Sequence, residues 1–248
     1  MKNCLIKVGL ICLLCLSGCQ AQPKQTAIMP TSPQCYKIDT YDYSLPVAAN
    51  EKVDASYYDD ALFVGDSRMG SLALYGSYDN QEVYYIEALF LNKVDITQLE
   101  DGQTIMDKIK ATEKNNLYLM FGLNEIGWEN YQLFVDQYDA FIKSIKEIKP
   151  NINIYVFLLY TPTHTLTIDE VAIKPAVDNN NTLLKKMCYD NQVYCLDMDP
   201  YFSLNGGSID DSFAKDGIHL NAPGVKLFEE FIEYHVVKEE DHVKEVCN

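Results

Sequence analysis

The sequence predicts one α/β domain over residues 59–240, with a parallel sheet covered by helices on both faces. Three observations carry this expectation. Short runs rich in Val, Ile, Tyr and Phe have the length and composition of strands. Stretches with apolar residues at helical spacing lie between them. Turns containing Gly, Asp and Asn follow the strands, where such a sheet places a ligand. Strands separated by helices need right-handed crossovers, and these bury both sheet faces.

Taken in order, residues 1–18 read as an address and not as part of the fold. Lys2 and Lys7 precede an apolar run from Val8 to Leu16, then Ser17-Gly18-Cys19, the pattern of a secretory signal. The run is too short for a comfortable bilayer span. Residues 19–58 hold Pro23, Pro30, Pro33 and Pro46 without a sustained period and read as a tether. The roughly 39 flexible residues after Cys19, residues 20–58, reach roughly 35 Å. Tyr36, Tyr41, Tyr43 and Leu45 leave open an earlier start to the packed domain.

Within the domain, Ala61–Val64, Val83–Ile86, Leu117–Phe121, Ile152–Leu159 and Gln192–Leu196 are the expected strands. Thr104–Ala111, Tyr131–Ile148, Ala176–Tyr189 and Val225–Val237 are expected helices. The clearest is the second, with apolar residues at 134, 135, 138, 141, 142, 145 and 148. Residues 241–248 read as a charged tail, and His235 and His242 as solvated.

Net charge is −16 over 248 residues, and removing residues 1–18 takes away two lysines and no acid, leaving −18. A field of that sign opposes nucleic-acid binding and holds the domain off anionic lipid. Of eight cysteines, Cys4, Cys12 and Cys15 fall in the signal. Cys35, Cys188, Cys195 and Cys247 remain in a compartment that permits disulfides. The expected pairs are Cys188–Cys195 and Cys35–Cys247.

Three blocks carry chemistry. Gly65-Asp66-Ser67 follows the first strand, Gly122-Leu123-Asn124 follows the third, and Asp216-Gly217-Ile218-His219 precedes the last helix. A serine hydroxyl needs a positioned base. Asp216, three residues before His219, can hold one imidazole nitrogen while the other faces the serine. Asn124 and the Ser67 N–H can donate to a developing oxyanion. Each block also has a plainer reading, as a helix cap or a turn.

Together, Phe63-Val-Gly-Asp-Ser-Arg68, Phe121-Gly-Leu-Asn124 and Asp216-Gly-Ile-His-Leu-Asn221 resemble the motifs of the GDSL/SGNH hydrolase family. The resemblance implies a three-layer α/β/α flavodoxin-like sandwich with a five-stranded parallel sheet in strand order 2-1-3-4-5. It implies ester hydrolysis through an acyl-enzyme on Ser67, with His219 as base, Asp216 orienting it, and Asn124 with the Ser67 N–H as oxyanion donors. No metal or organic cofactor is implied. Leu16-Ser-Gly-Cys19 resembles the bacterial lipobox, which implies lipid on Cys19 and a place on the outer face of the cell membrane. An acylated small molecule or surface glycan is then the expected substrate.

Two departures stand out. Tyr85-Ile-Glu-Ala-Leu-Phe90 occupies the block that usually supplies a glycine N–H, so that donor falls to Ala88 or a neighbour. Arg68 replaces the leucine of the first motif, and its guanidinium is free to bind an acidic group or pair with Asp or Glu. Arg68, Glu125, Trp128 and His164 are the expected substrate-binding residues. The same constellation leaves open an acyltransferase, and the missing glycine leaves open a non-catalytic binder of glycan or protein.

Overall fold

The computed structural model describes residues 35–163, 173–203, 207–214 and 216–247. The signal segment, Cys19 and His164 lie outside the described residues. In chain order the elements are β1 (Cys35–Asp39), β2 (Ala61–Gly65), α1 (Met69–Tyr75), β3 (Glu82–Tyr85), α2 (Ile105–Ala111), β4 (Asn116–Met120) and α3 (Tyr131–Ile148). They continue with β5 (Asn153–Phe157), α4 (Ile173–Asn191), β6 (Tyr194–Leu196), α5 (Asp199–Phe202), α6 (Ala222–Tyr234), α7 (Glu239–His242) and β7 (Val243–Cys247).

Five strands pair in parallel, in the order β3-β2-β4-β5-β6, the 2-1-3-4-5 order of the expected fold. Alternation along each strand sorts the side chains into two layers. On one face, register aligns Phe63, Tyr118, Tyr155 and Tyr194 across four strands. Successive rings lie 4.7, 4.6 and 4.8 Å apart, the first two pairs stacked. Cross-strand aromatic pairs contribute about 0.2–1 kcal/mol each, so part of the high tyrosine content belongs to the sheet. Helices α1, α5 and α6 cover this face. The opposite face presents Leu62, Val64, Leu117, Leu119, Ile154 and Val156 to α2, α3 and α4. The result is a three-layer α/β/α sandwich.

Element ends follow from local hydrogen bonding. Thr104 and Asp107 form a capping box, so α2 begins one residue after the expected start. Asn221 caps Gly224 N–H, and α6 accordingly starts at Ala222, three residues ahead of expectation. The fourth strand ends at Phe157 and not Leu159. There the Asn181 side chain accepts from Leu159 N–H and donates to its carbonyl, at 2.8 Å each, taking over from the ladder.

The chain forms two compact units. One consists, among the described residues, of Cys35–Lys37 and Glu245–Cys247, with a disulfide between Cys35 and Cys247. The other is Ile38–Lys244. It begins well before the expected boundary at 59 and continues past 240. Tyr41, Tyr43 and Val53 pack on the tyrosine face, and Val47 donates its N–H to the Cys195 carbonyl of the edge strand β6 at 2.8 Å. Covering an exposed edge in this way removes a pairing hazard.

Three other expectations are corrected. His235 is buried, stacked on Phe231 with centroids 4.1 Å apart, and its Nδ1 lies 2.6 Å from the Phe231 carbonyl. His242 is also buried, between Asp39 at 2.7 Å and the Tyr194 hydroxyl at 3.2 Å. Cys188 and Cys195 are free thiols in the apolar layer under α4, not a disulfide. Reduced cysteine packs there as a small hydrophobe. The adjacent Cys195 side chain and burial push the Cys188 thiol well above its ordinary pKa.

Candidate active site

The three blocks meet at the carboxyl ends of β2 and β4. Asp66 and Ser67 follow β2 directly, Asn124 stands four residues beyond β4, and Asp216–His219 form the turn before α6. The Ser67 Oγ lies 2.9 Å from His219 Nε2, and His219 Nδ1 lies 2.6 Å from Asp216 Oδ2. Asp216 Oδ1 accepts the backbone N–H groups of Ile218 and His219 at 3.0 and 2.8 Å. Partial burial alone would raise the Asp216 pKa, but the bonds from His219 and Ile218 hold the carboxyl below the usual range.

The turn is seated on the loop after β5. Gly217 has φ +82°, and a Cβ there would come within 2.6 Å of Thr163 Oγ1. Thr163 N–H donates to the Gly217 carbonyl at 2.9 Å, and the Tyr160 hydroxyl donates to the Ile218 carbonyl. Glycine is thus required both by the backbone and by the contact.

Arg68 does not reach the cleft. Its Nε and Nη2 donate to the two oxygens of Asp66 at 2.9 and 2.8 Å, and both residues are buried. Asp66 also accepts the N–H groups of Arg68 and Leu123, at 3.1 and 3.3 Å. The guanidinium lies over the Tyr160 ring, 5.5 Å from its centroid. An expected substrate ligand is therefore an internal ion pair, tying the serine loop to the residue that supports the His219 turn.

On the other side of Ser67, Ala88 adopts φ +52°, a conformation that costs a non-glycine residue about 1–2 kcal/mol. It occupies the block in which the expected glycine is missing. Among the described residues, neither the Ser67 nor the Ala88 backbone N–H has a protein acceptor. Asn124 donates one side-chain hydrogen to the Leu89 carbonyl at 2.8 Å, which leaves the other Nδ2 hydrogen for the cleft.

Glu125 and Trp128 are also corrected. Glu125 is 1% exposed and its Oε1 accepts the Leu91 N–H at 2.6 Å. Its Oε2 is buried with no partner among the described residues. Trp128 packs on the core and stacks with Phe90, ring centroids 6.0 Å apart. Neither lines the cleft.

Burial pushes the Glu125 carboxyl up to about 7, with Asp66 adding to the rise and Leu91 N–H and Arg68 opposing it. An unfolded carboxyl titrates near about 4.3. The unfolded chain therefore loses this proton first, and native stability falls as pH rises from about 4.3 through 7. Glu125→Gln cannot ionise and is expected to gain on the wild type across that window, by of order 3 kcal/mol at pH 8. Denaturant titrations at pH 4 and pH 8 check this. A stability gap that is the same at both would contradict it.

The cleft has a volume of about 690 Å³ and is lined by Ser67, Asn124, Asp216 and His219 together with Leu74, Tyr75, Tyr85, Glu87 and Ala88. No lysine or arginine lines it among the described residues. The aromatic wall was not foreseen, because tyrosines are spread along the whole sequence and nothing local marks these two.

In sequence, no curated protein matches this chain. Several solved structures share its fold at low identity. An acetyl xylan esterase, AlAXEase, superposes with a TM-score of 0.53 at 17% identity, covering 71% of this chain and 99% of that one. A GDSL-like lipase from Bacteroides thetaiotaomicron VPI-5482 has a TM-score of 0.50 at 15% identity, covering 70% and 85%. A carbohydrate esterase family 3 protein from Talaromyces cellulolyticus also has 0.50, at 12% identity, covering 70% and 93%. The family model of the GDSL-like lipases and acylhydrolases matches residues 94–227, more than half the chain, a span that holds Asn124, Asp216 and His219 and begins after Ser67. With that match and this fold, the chain belongs to the GDSL-like lipase/acylhydrolase family.

Proposed function

We propose that the protein is an exported, lipid-anchored serine esterase that removes short acyl groups, acetyl foremost, from a neutral surface glycan. The observation that carries the catalytic part is the hydrogen-bonded series Ser67–His219–Asp216 opening into the cleft. His219 Nε2 takes the Ser67 proton as Oγ attacks the ester carbonyl. Asp216 holds the imidazole by Nδ1 and stabilises the imidazolium. The oxyanion forms opposite the N–H groups of Ser67 and Ala88 and the Asn124 amide. His219 then returns the proton to the departing alcohol, leaving an acyl-enzyme on Ser67. Water, deprotonated by the same imidazole, attacks the acyl carbonyl; the bond to Oγ breaks, His219 returns the proton to Ser67 Oγ, and the acid leaves.

The substrate reading rests on the wall of the cleft. Leu74, Tyr75 and Tyr85 present exposed apolar and aromatic surface to the cleft, as packing against a sugar ring needs. Glu87 and Asp216, with no lysine or arginine lining the cleft among the described residues, disfavour anionic substrates. The acetyl xylan esterase and the carbohydrate esterase of the same fold point the same way. The anchor rests on the lipobox-like Leu16-Ser-Gly-Cys19. Purified protein is expected to release acetate from an O-acetylated neutral oligosaccharide and to leave an anionic phospholipid intact. Preference for the phospholipid would overturn the substrate reading, and acetyl transfer to an added sugar in place of water would make it a transferase. In cells, Cys19→Ala is expected to move the protein out of the membrane fraction. Retention there would overturn the anchor.

A further inference from the structure

The loop that carries Ala88 runs from the end of β3 at Tyr85 to the short 3-10 turn Leu91–Lys93, and has no regular structure of its own. Three groups on the segment after β4 hold it. Asn124 donates to the Leu89 carbonyl at 2.8 Å, Glu125 accepts from Leu91 N–H at 2.6 Å, and Trp128 stacks on Phe90. These contacts fall at 89, 90 and 91, directly after the residue whose backbone is in the left-handed region. We propose that Glu125 is a positioning residue, which through its bond to Leu91 N–H clamps the 88–91 loop so that an alanine keeps the backbone conformation a glycine would adopt freely.

The physical case is one of compensation. An alanine at φ +52° relaxes toward negative φ unless neighbouring contacts over-determine it. Relaxation would rotate the peptide plane and swing the Ala88 N–H away from the ester oxygen that becomes the oxyanion when Ser67 attacks. A carboxyl is a strong acceptor for a backbone N–H, and one buried this deeply is held in place by its packing. Deep burial of a carboxyl is costly in itself, and is here placed at the residue next to the oxyanion amide of Asn124. Asp66 and Arg68 are the charged groups that act on it, and they are paired with each other.

The inference rests on the esterase reading for its effect on rate, so its test has two readouts. Glu125→Met fills the side-chain space but accepts no hydrogen bond. It is expected to lower kcat on an aryl acetate about 10–100-fold with KM within about twofold, because the oxyanion is present only after the ground state. Glu125→Gln keeps the Oε1 acceptor and is expected to retain most of kcat. In the Ala88→Gly background, where the loop needs less holding, Glu125→Met is expected to cost less. Hydrogen exchange over residues 86–93 is expected to quicken in Glu125→Met and not in Glu125→Gln. Wild-type kcat in folded Glu125→Met, or an equal loss in both backgrounds, would overturn the clamp. A wild-type protein inactive on every ester would instead remove the esterase reading, and the exchange of residues 86–93 would then decide the clamp alone, unchanged exchange refuting it.

Discussion

Ser67→Ala is expected to lower kcat/KM on an aryl acetate by about 10⁴-fold or more. The substitution removes the only oxygen within hydrogen-bond distance of His219 Nε2 among the described residues, at 2.9 Å, while the cleft and the N–H donors around it stay in place. His219→Ala is expected to cost a similar factor, and the double variant little more than either alone, because nucleophile and base act as one unit. Initial rates with circular dichroism as a control for folding measure this. A folded Ser67→Ala protein with a tenth of wild-type activity would mean that another group attacks the ester.

The largest stability effect is expected at Arg68. Arg68→Leu installs the residue of the family's own first motif, yet in this chain it strands the Asp66 carboxylate, which is fully buried. Asp66 would keep the backbone bonds from positions 68 and 123 and lose both guanidinium bonds. Removing one partner of a buried ion pair costs about 3–5 kcal/mol, far more than the pair adds over an apolar alternative. Urea titration is expected to show a loss of that size, and Asp66→Asn in the same chain to recover part of it. A loss under about 1 kcal/mol would show that the buried Asp66 carboxyl does not need Arg68 as its partner.

The sheet and its helices were legible in the sequence because their signals are local. The apolar face of α3 repeats at helical spacing along Tyr131–Ile148, and its observed bounds are the expected ones. The strand ends were harder to read, since Asn181 closes off β5 from 22 residues away. The meeting of Ser67, Asn124, Asp216 and His219 was legible because each follows a turn block with its own residue pattern. The roles of Arg68, Glu125 and Trp128 were not. A charged or aromatic residue beside a reactive one has the same letters whether it faces a substrate or the protein. Only the fold decided it, turning Arg68 toward Asp66, Glu125 toward Leu91 and Trp128 toward Phe90.

The same holds for the tyrosines and the cysteines. That Tyr118, Tyr155 and Tyr194 form one row depends on strand register, which no single segment states. That Cys188 and Cys195 are buried side by side as free thiols in the apolar layer is likewise a matter of packing that neither local segment states. Ala88 is an intermediate case. The sequence marked its block as one lacking a glycine, and the structure gives that position the backbone conformation glycine favours.

The central claim is that Ser67 is the nucleophile and that His219 makes it one. Incubation with a fluorophosphonate, followed by intact-mass measurement and peptide mapping, tests it most directly. Wild-type protein is expected to gain one adduct, on Ser67, with Ser67→Ala gaining none and His219→Ala reacting far more slowly. A folded wild-type protein that takes no label, or a label that persists in Ser67→Ala, would contradict the claim.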